Sequence, residues 1–531
     1  MRGDIIAKNV FQTALTVTIF SCAERFLGFL YRIFLSRTLG AEGLGIYQIS
    51  LSVLGLFMTV TSSGIPITVS RMMIKYKSKN QNQKVDSTIT AGILLAITIS
   101  VPLILLIFSK SGFLNFLFSD QRCLPVLAIM IPGLIFTSVY AVLRGSFWGN
   151  NRFLAYSVIE FLEESVMLVA GIILVNLTTD ITKGVHMAGY AVLISYLFSF
   201  TVALIYFFIK GGKLKSPKRQ FLPLIKSSAP ITATKTSTSL INTLIAVILP
   251  ARLVSFGLSS SDAVTEFGKV FGMAFPLIFM PSTLIDSLAL VLVPELSSNF
   301  YSKNYNKLKS NVEKAIKFSC FISCLIIPVF LSVGNEISEF LYSDGSVGNY
   351  VVLGAITMLP LSVSIITTSM LNSLNKEKQT LLSFFIGASA MILCIYFLPK
   401  FLGVNALTVG MIINYLLTAI FNLTVLAKTC PKKPTYKRHL AFSAFTVIPS
   451  ALFGYFLKGI FARFCPVWIT AVVCSLLIAL FSLTLSYVFG LIDFFFETRP
   501  ELKVFKKRKP FKNGNKRKQN SVVDYAYEKL T

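Results

Sequence analysis

Apolar runs of roughly 18–28 residues recur along this chain, parted by short polar or basic breaks, and each suits a helix crossing hydrocarbon about 30 Å thick. They fall at about 9–37, 46–72, 87–108, 123–147, 155–177, 186–209, 222–250, 268–293, 312–333, 350–374, 379–399, 403–427, 439–458 and 468–491. The composition agrees: 54% of the 531 residues are hydrophobic, only 14% are charged, and mean hydropathy is +0.71. A soluble domain this apolar would precipitate. The expected fold class is an all-α polytopic membrane protein with about 14 transmembrane helices. No cleavable signal peptide is expected, because the apolar run behind MRGDIIAKN continues far beyond the core of a secretory signal.

Charge sets the expected orientation. With the N-terminus inside and loops alternating, the inner segments "RMMIKYKSKNQNQK", "KGGKLKSPKRQ", "YSKNYNKLK", "KTCPKKPTYKR" and the tail gather most of the 50 Lys and Arg. An even number of spans with both termini cytoplasmic satisfies this bias. The net charge of +27 therefore requires no nucleic acid. The basic tail "KVFKKRKPFKNGNKRKQN" is expected to meet anionic membrane lipids at the inner face.

The chain also repeats itself. Residues 127–161 and 353–387 share a layout of mid-helix proline, polar turn and new helix. Pro132 and Pro360 are 228 residues apart, as are Pro66 and Pro294. Residues 184–200 echo 403–419. Six spans per half make the repeat parallel, with substrate expected between two rocking halves. The expected domains are an N-lobe over 1–210, a C-lobe over 211–430, an extra helix pair over 431–495 and a basic cytoplasmic tail over 496–531.

The first span holds charges that a lipid-facing helix would not: "AERFLGFLYRIFLSR" carries Glu24, Arg25, Arg32 and Arg37. Each ion costs at least about 2.5 kcal/mol at a bilayer centre. Arg25, Gly28 and Arg32 share one helical face, with Glu24 beside it, so they either line a cavity or pair with other helices. Arg37 suits an interface. In the seventh span, Lys235, Ser239 and Asn242 form a second polar stripe, with Arg252 just beyond. A cavity receiving these cations would suit an anion, since guanidinium forks match phosphate oxygens and lysine adds a point charge. Spans two and eight are irregular. Gly64 and Pro66 break one, Pro294 is a candidate break in the other, and Asp286 within span eight could pair with a cavity cation or carry a coupling ion. Glu160, Glu163 and Glu164 are expected at the inner interface.

Enzymatic motifs are thin: no glycine-rich phosphate loop, nucleophile elbow or His–carboxylate pairing stands out. The eight cysteines and two histidines form no ligand pattern, and Cys320/Cys324 suit small buried side chains, so no cofactor or metal is expected.

"LGFLYRIFLSRTLGAEGLGIYQIS", "SSGIPITVSRMM" and "VLRGSFWGNNRF" resemble the polysaccharide-transporter branch of the multidrug/oligosaccharidyl-lipid/polysaccharide flippase superfamily, which includes lipid II flippases and sporulation proteins. The resemblance covers the first twelve spans and includes the extra pair. It implies two six-helix lobes alternating around a cationic cavity for a lipid-linked oligosaccharide, with the extra pair sheltering the polyprenyl tail. It also implies Arg25 and Arg32 as cavity cations and Lys235 and Arg252 as further candidates. The expected function is translocation of an undecaprenyl-pyrophosphate-linked saccharide across the bacterial cytoplasmic membrane, in cell-wall or spore-cortex synthesis. The rival functions are a cation-coupled multidrug antiporter and a non-transporting scaffold for cell-wall synthases, which are candidate protein partners.

Overall fold

The computed structural model describes residues 2–108, 118–217 and 220–491; the expected basic tail over 496–531 lies outside them. The described residues are helical throughout, with short turns and no strand. In chain order they form α1 (Arg2–Ser62), α2 (Ile65–Ser78), α3 (Asn82–Phe108), α4 (Cys123–Met130), α5 (Gly133–Gly149), α6 (Phe153–Val175) and α7 (Ile181–Ile209). The second half begins with α8 (Phe221–Ser255) and α9 (Ser260–Phe267), which runs through a π-helical turn (Gly268–Ala274) into α10 (Phe275–Phe279). It continues with α11 (Ser282–Tyr301), α12 (Tyr305–Tyr342), α13 (Val347–Ala355), α14 (Met358–Ser373), α15 (Glu377–Phe397), α16 (Pro399–Leu402) and α17 (Asn405–Thr429). The last pair is α18 (Lys437–Phe464) and α19 (Val467–Val488).

Among the described residues, nine helices are long and apolar enough to cross a membrane, or up to twelve if each of three bent pairs is one span. Two features keep the number below the expected fourteen. Residues Thr16–Ser78 count once, although the chain turns at Gly40. Helix α6 is not among the nine, and it carries three glutamates.

The breaks follow the residues that favour them. Gly40 has φ +68° and ψ −175°, a backbone that a Cβ would strain, so α1 kinks there at one residue. Gly64 ends the first stretch and Pro66 stands in the first turn of α2, where its missing N–H costs nothing. The expectation for Pro294 is corrected: α11 continues across position 294. Span eight bends instead by 50° between Phe279 and Ser282, where Pro281 precedes α11 and leaves the helix one fewer N–H donor.

The halves meet most tightly near Gly40. A Cβ on Gly268 would lie 2.0 Å from the Ala41 carbonyl oxygen, and one on Gly45 would lie 2.2 Å from the Val264 oxygen. Backbone here touches backbone, as small residues allow between membrane helices. Arg37 Nε donates to the Leu341 carbonyl at 2.8 Å, and Ser260 Oγ donates to the Ser119 carbonyl at 2.8 Å. Arg37 thus caps the C-terminal carbonyls of α12. At the same end Arg122 Nη2 lies 2.6 Å from Asp120 Oδ2 and 2.7 Å from Glu42 Oε1, and Glu42 accepts from Ser261 of the other half. Burial alone would raise the Asp120 carboxyl; hydrogen bonds from Arg122 outweigh it and hold Asp120 below the usual carboxylate range.

The final helices pack on α12. Gly454 brings α18 close enough that a Cβ would lie 2.2 Å from Ser332 Oγ, which donates to the Ala451 carbonyl at 3.0 Å. Thr446 Oγ1 meets Cys324 Sγ at 2.9 Å, and Lys458 pairs with Glu336 at 2.8 Å. The Cys320/Cys324 turn is therefore an interhelical contact.

Candidate functional site

Between the two halves lies a cavity of about 630 Å³. From the first half it is lined by Glu24, Arg25, Gly28 and Arg32 of α1, with Gln48 and Glu164. From the second come Ser239 and Asn242 of α8 and an aromatic wall of Phe271, Phe275 and Phe279. The three-to-four-residue spacing on α1 carries its polar side chains to one face. The π-helical turn carries the first ring of the aromatic wall, Phe271, and successive rings along the wall lie 6.3 Å and 5.4 Å apart. At Gly28, Glu164 Oε2 would lie 3.8 Å from where a Cβ would stand. A side chain there would project into the space between the arginines and that carboxylate.

Exposure falls along α1 from Arg25, whose side chain is 60% exposed, to Leu35, which is fully buried. The cavity is therefore open away from Gly40 and closed toward it. Near the open end Gly64 N–H donates to Thr232 Oγ1 at 3.2 Å and Tyr76 OH donates to Gln220 Oε1 at 2.7 Å, so the halves also touch there at one edge.

The candidate residues separate cleanly. Arg25, Arg32, Glu24, Ser239 and Asn242 come together on the cavity. Asp286 of α11 lies 3.7 Å from Arg25 Nη1, which joins the halves, and it lines an adjoining cavity of about 400 Å³. Lys235 is exposed on α8 and is not among the lining residues of either cavity. Arg252 is also absent from both linings: its Nε donates to the Tyr396 carbonyl at 3.1 Å, and its guanidinium stacks 4.3 Å from the Tyr396 ring and 4.7 Å from Phe256. Cation–π and backbone contacts account for its charge.

The glutamates of α6 differ from expectation. Glu164 lines the central cavity with one carboxylate oxygen buried and unpaired. Glu160 accepts from Arg144 at 2.7 Å, and that guanidinium lies 5.4 Å from the Trp148 ring. The first arginine of "VLRGSFWGNNRF", Arg144, therefore holds a carboxylate inside the first half. The four-residue step from Glu160 to Glu164 was the available sign that these side chains share a helix face.

A third cavity, of about 360 Å³, is almost wholly apolar. Ile327 and Leu331 of α12, Leu359 and Pro360 of α14, Leu416 of α17 and Val447 of α18 line it. It lies where the final helix pair meets the second half.

The family profile described as "Polysaccharide biosynthesis protein" matches residues 7–300. Stage V sporulation protein B of Bacillus subtilis (strain 168) is 23% identical over 83% of this chain and 88% of its own length. Lipid II flippase MurJ of the same organism is 20% identical over 82% of this chain and 84% of its own. Among solved structures, lipid II flippase MurJ in an inward closed conformation superposes with a TM-score of 0.71 at 15% identity, covering 91% of this chain and 100% of that one.

Proposed function

Because this chain belongs to the polysaccharide biosynthesis protein family, we propose that it is a flippase carrying a lipid-linked saccharide across the membrane. The substrate is an undecaprenyl-pyrophosphate-linked saccharide, a peptidoglycan precursor or related polysaccharide unit, moved from the inner to the outer leaflet. The observation that carries this reading is the pair Arg25 and Arg32 on one cavity between the halves. Two guanidinium groups suit a pyrophosphate, and charge-assisted bonds to it are stronger than those to a neutral head group. Arg25 exchanges Asp286 for phosphate when substrate enters, and Arg32, which shares the cavity with Glu164, turns to phosphate likewise.

Fourteen spans with both termini cytoplasmic, an N-lobe over 1–210, a C-lobe over 211–430 and a helix pair over 431–495 complete the proposal. In this orientation the Gly40 end is the outer gate, closed by backbone contact, and the open cavity faces inward. The apolar cavity beside α18 supports a place for the polyprenyl chain. Each CH₂ kept from water is worth about 0.8 kcal/mol, so a tail of tens of carbons stays in hydrocarbon while only its head group crosses. Rocking the lobes then opens the Gly40 end and closes the other.

Glu24 and Glu164 on the same cavity favour a second reading, a cation-coupled antiporter. Reconstitution in liposomes decides between them. A labelled lipid-linked oligosaccharide should reach the opposite leaflet only with the protein present. Transport of an organic cation without lipid movement would establish the antiporter instead.

A further inference from the structure

The cavity of about 400 Å³ beside the central one has a chemistry of its own. Its volume lies within the range of small-molecule sites, roughly 300–1,000 Å³. Asn242, Met411 and Tyr415 border both cavities, so the two adjoin. Asp286 stands at their junction, within 3.7 Å of Arg25.

Among the described residues no cation lines this second space, and the one carboxylate there already faces an arginine. The lining is otherwise neutral and mixed: hydroxyls from Ser364, Thr368, Ser369 and Thr418 and the amide of Asn414 stand among aliphatic side chains and the rings of Phe384 and Tyr415. Several of these groups have bonding capacity to spare. Ser364 donates to its own helix at the Leu361 carbonyl, leaving its lone pairs to accept. Thr368 accepts from Asn422 Nδ2 at 2.8 Å and keeps its proton. Ser369 has no partner among the described residues. Asn414 is buried, and its Nδ2 meets only the Met391 sulfur, at 3.9 Å. Gly387 makes room for that side chain, since a Cβ there would lie 2.3 Å from Asn414 Oδ1. A buried amide without a full partner is costly, and a ligand that bonds to it recovers that cost.

Such a lining is wrong for a hydrocarbon tail, which would strand the polar groups, and wrong for a phosphate, which finds no cation. It fits a ligand whose groups both donate and accept and whose ring faces are apolar. Resting on the transport reading above, we infer that this second cavity, formed by α8, α11, α14, α15 and α17, binds the saccharide of the substrate while Arg25 and Arg32 hold its pyrophosphate. The sugar nearest the pyrophosphate lies by Asp286, which accepts from its hydroxyls once Arg25 turns to phosphate. The rest of the glycan lies against Tyr415, Phe384 and the Asn414 amide.

The test compares two probes on the full chain in nanodiscs: undecaprenyl pyrophosphate alone, and the same lipid bearing a disaccharide of N-acetylated hexosamines. The wild type should bind the glycosylated lipid at least about tenfold more tightly, about 1.4 kcal/mol. Asn414→Leu combined with Ser369→Ala should remove that increment and leave binding of the bare lipid unchanged, which also shows that the variant is folded. Arg32→Ala should weaken both probes alike. Equal binding of the two probes by the wild type overturns the saccharide site while leaving the transport reading intact. So does an increment that survives the double substitution. Failure of either lipid to bind overturns the transport reading itself.

Discussion

Arg25 Nη1 of α1 and Asp286 Oδ2 of α11 lie 3.7 Å apart, so the cavity's most exposed arginine is countered by a carboxylate from the opposite half. The side chains are 60% and 47% exposed, and a pair so solvated contributes about 0–1 kcal/mol to stability. Its weakness suits a contact that must open for a ligand.

Arg25→Ala should therefore weaken binding of undecaprenyl pyrophosphate about ten- to hundredfold, the range for a lost charged hydrogen bond of roughly 1.5–3 kcal/mol. The melting temperature in detergent should hardly move. Asp286→Asn should change bare-lipid binding much less than Arg25→Ala. An Arg25→Ala protein that binds this lipid as the wild type does removes the residue from the site.

Gly268→Ala should hold the Gly40 end ajar, because its Cβ would lie 2.0 Å from a carbonyl that cannot rotate away. Gly64→Ala acts at the other end, 2.4 Å from Thr232 Oγ1 and 2.5 Å from the Ser228 carbonyl. The two substitutions should shift the conformational balance in opposite directions. A cysteine at Ser52, on the cavity, reports this through labelling by an impermeant reagent added from one side at a time. Identical labelling of both variants would show that neither glycine sets the gate.

Deleting residues from 436 onward should leave an inserted core that no longer moves lipid-linked sugar. Gly454→Leu is the finer version. It should push α18 from Ser332 and lower stability by about 1–3 kcal/mol, as overpacked contacts do. Liposome transport should fall more steeply for both variants than binding of a water-soluble head-group analogue. Equal transport by the truncated and full-length chains would exclude the pair from the tail path.

Acid should loosen the Gly40 end. The Asp120 carboxyl titrates lower in the fold than its ordinary value of 3.8, so its stabilisation is complete above about pH 4 and is lost as pH falls through the folded value. Asp120→Asn forgoes that stabilisation at every pH. Thermal unfolding should therefore show wild type above variant at pH 7, with the gap narrowing toward pH 3. A gap that widens in acid contradicts the assignment.

Reporter fusions within 340–348 should read outside and within 212–220 inside. The former range includes Phe340 and Leu341, whose carbonyls meet Arg37, so the test also orients the gate.

The residues differ in how openly the sequence declared them. The face of α1 was legible because a helical repeat fixes which side chains travel together, and Arg25 and Arg32 line one cavity. Lys235 and Arg252 were read by charge alone, and charge does not reveal which side of a helix a cavity will occupy. Arg252 illustrates the alternative, a guanidinium held by two rings and a carbonyl. Glu164 was hidden for a different reason. Its distance from the presumed interface was counted in residues, whereas its neighbours are set by how α6 packs on α1. The break expected at Pro294 fell instead near Pro281, and three prolines in one stretch offered no local means of choosing between them.

Gly40 also bears on how a gene for such a chain can vary. The kink in α1 uses a single residue, with the Arg37 latch three positions before it and the Gly45 contact five positions after. One inserted codon would rotate everything beyond it by about 100°. Either the latch or the backbone contact would then face the wrong way. Length changes in this stretch should be absent among descendants that still work, while point substitutions accumulate around it, and an epitope tag placed here would be read as a null allele.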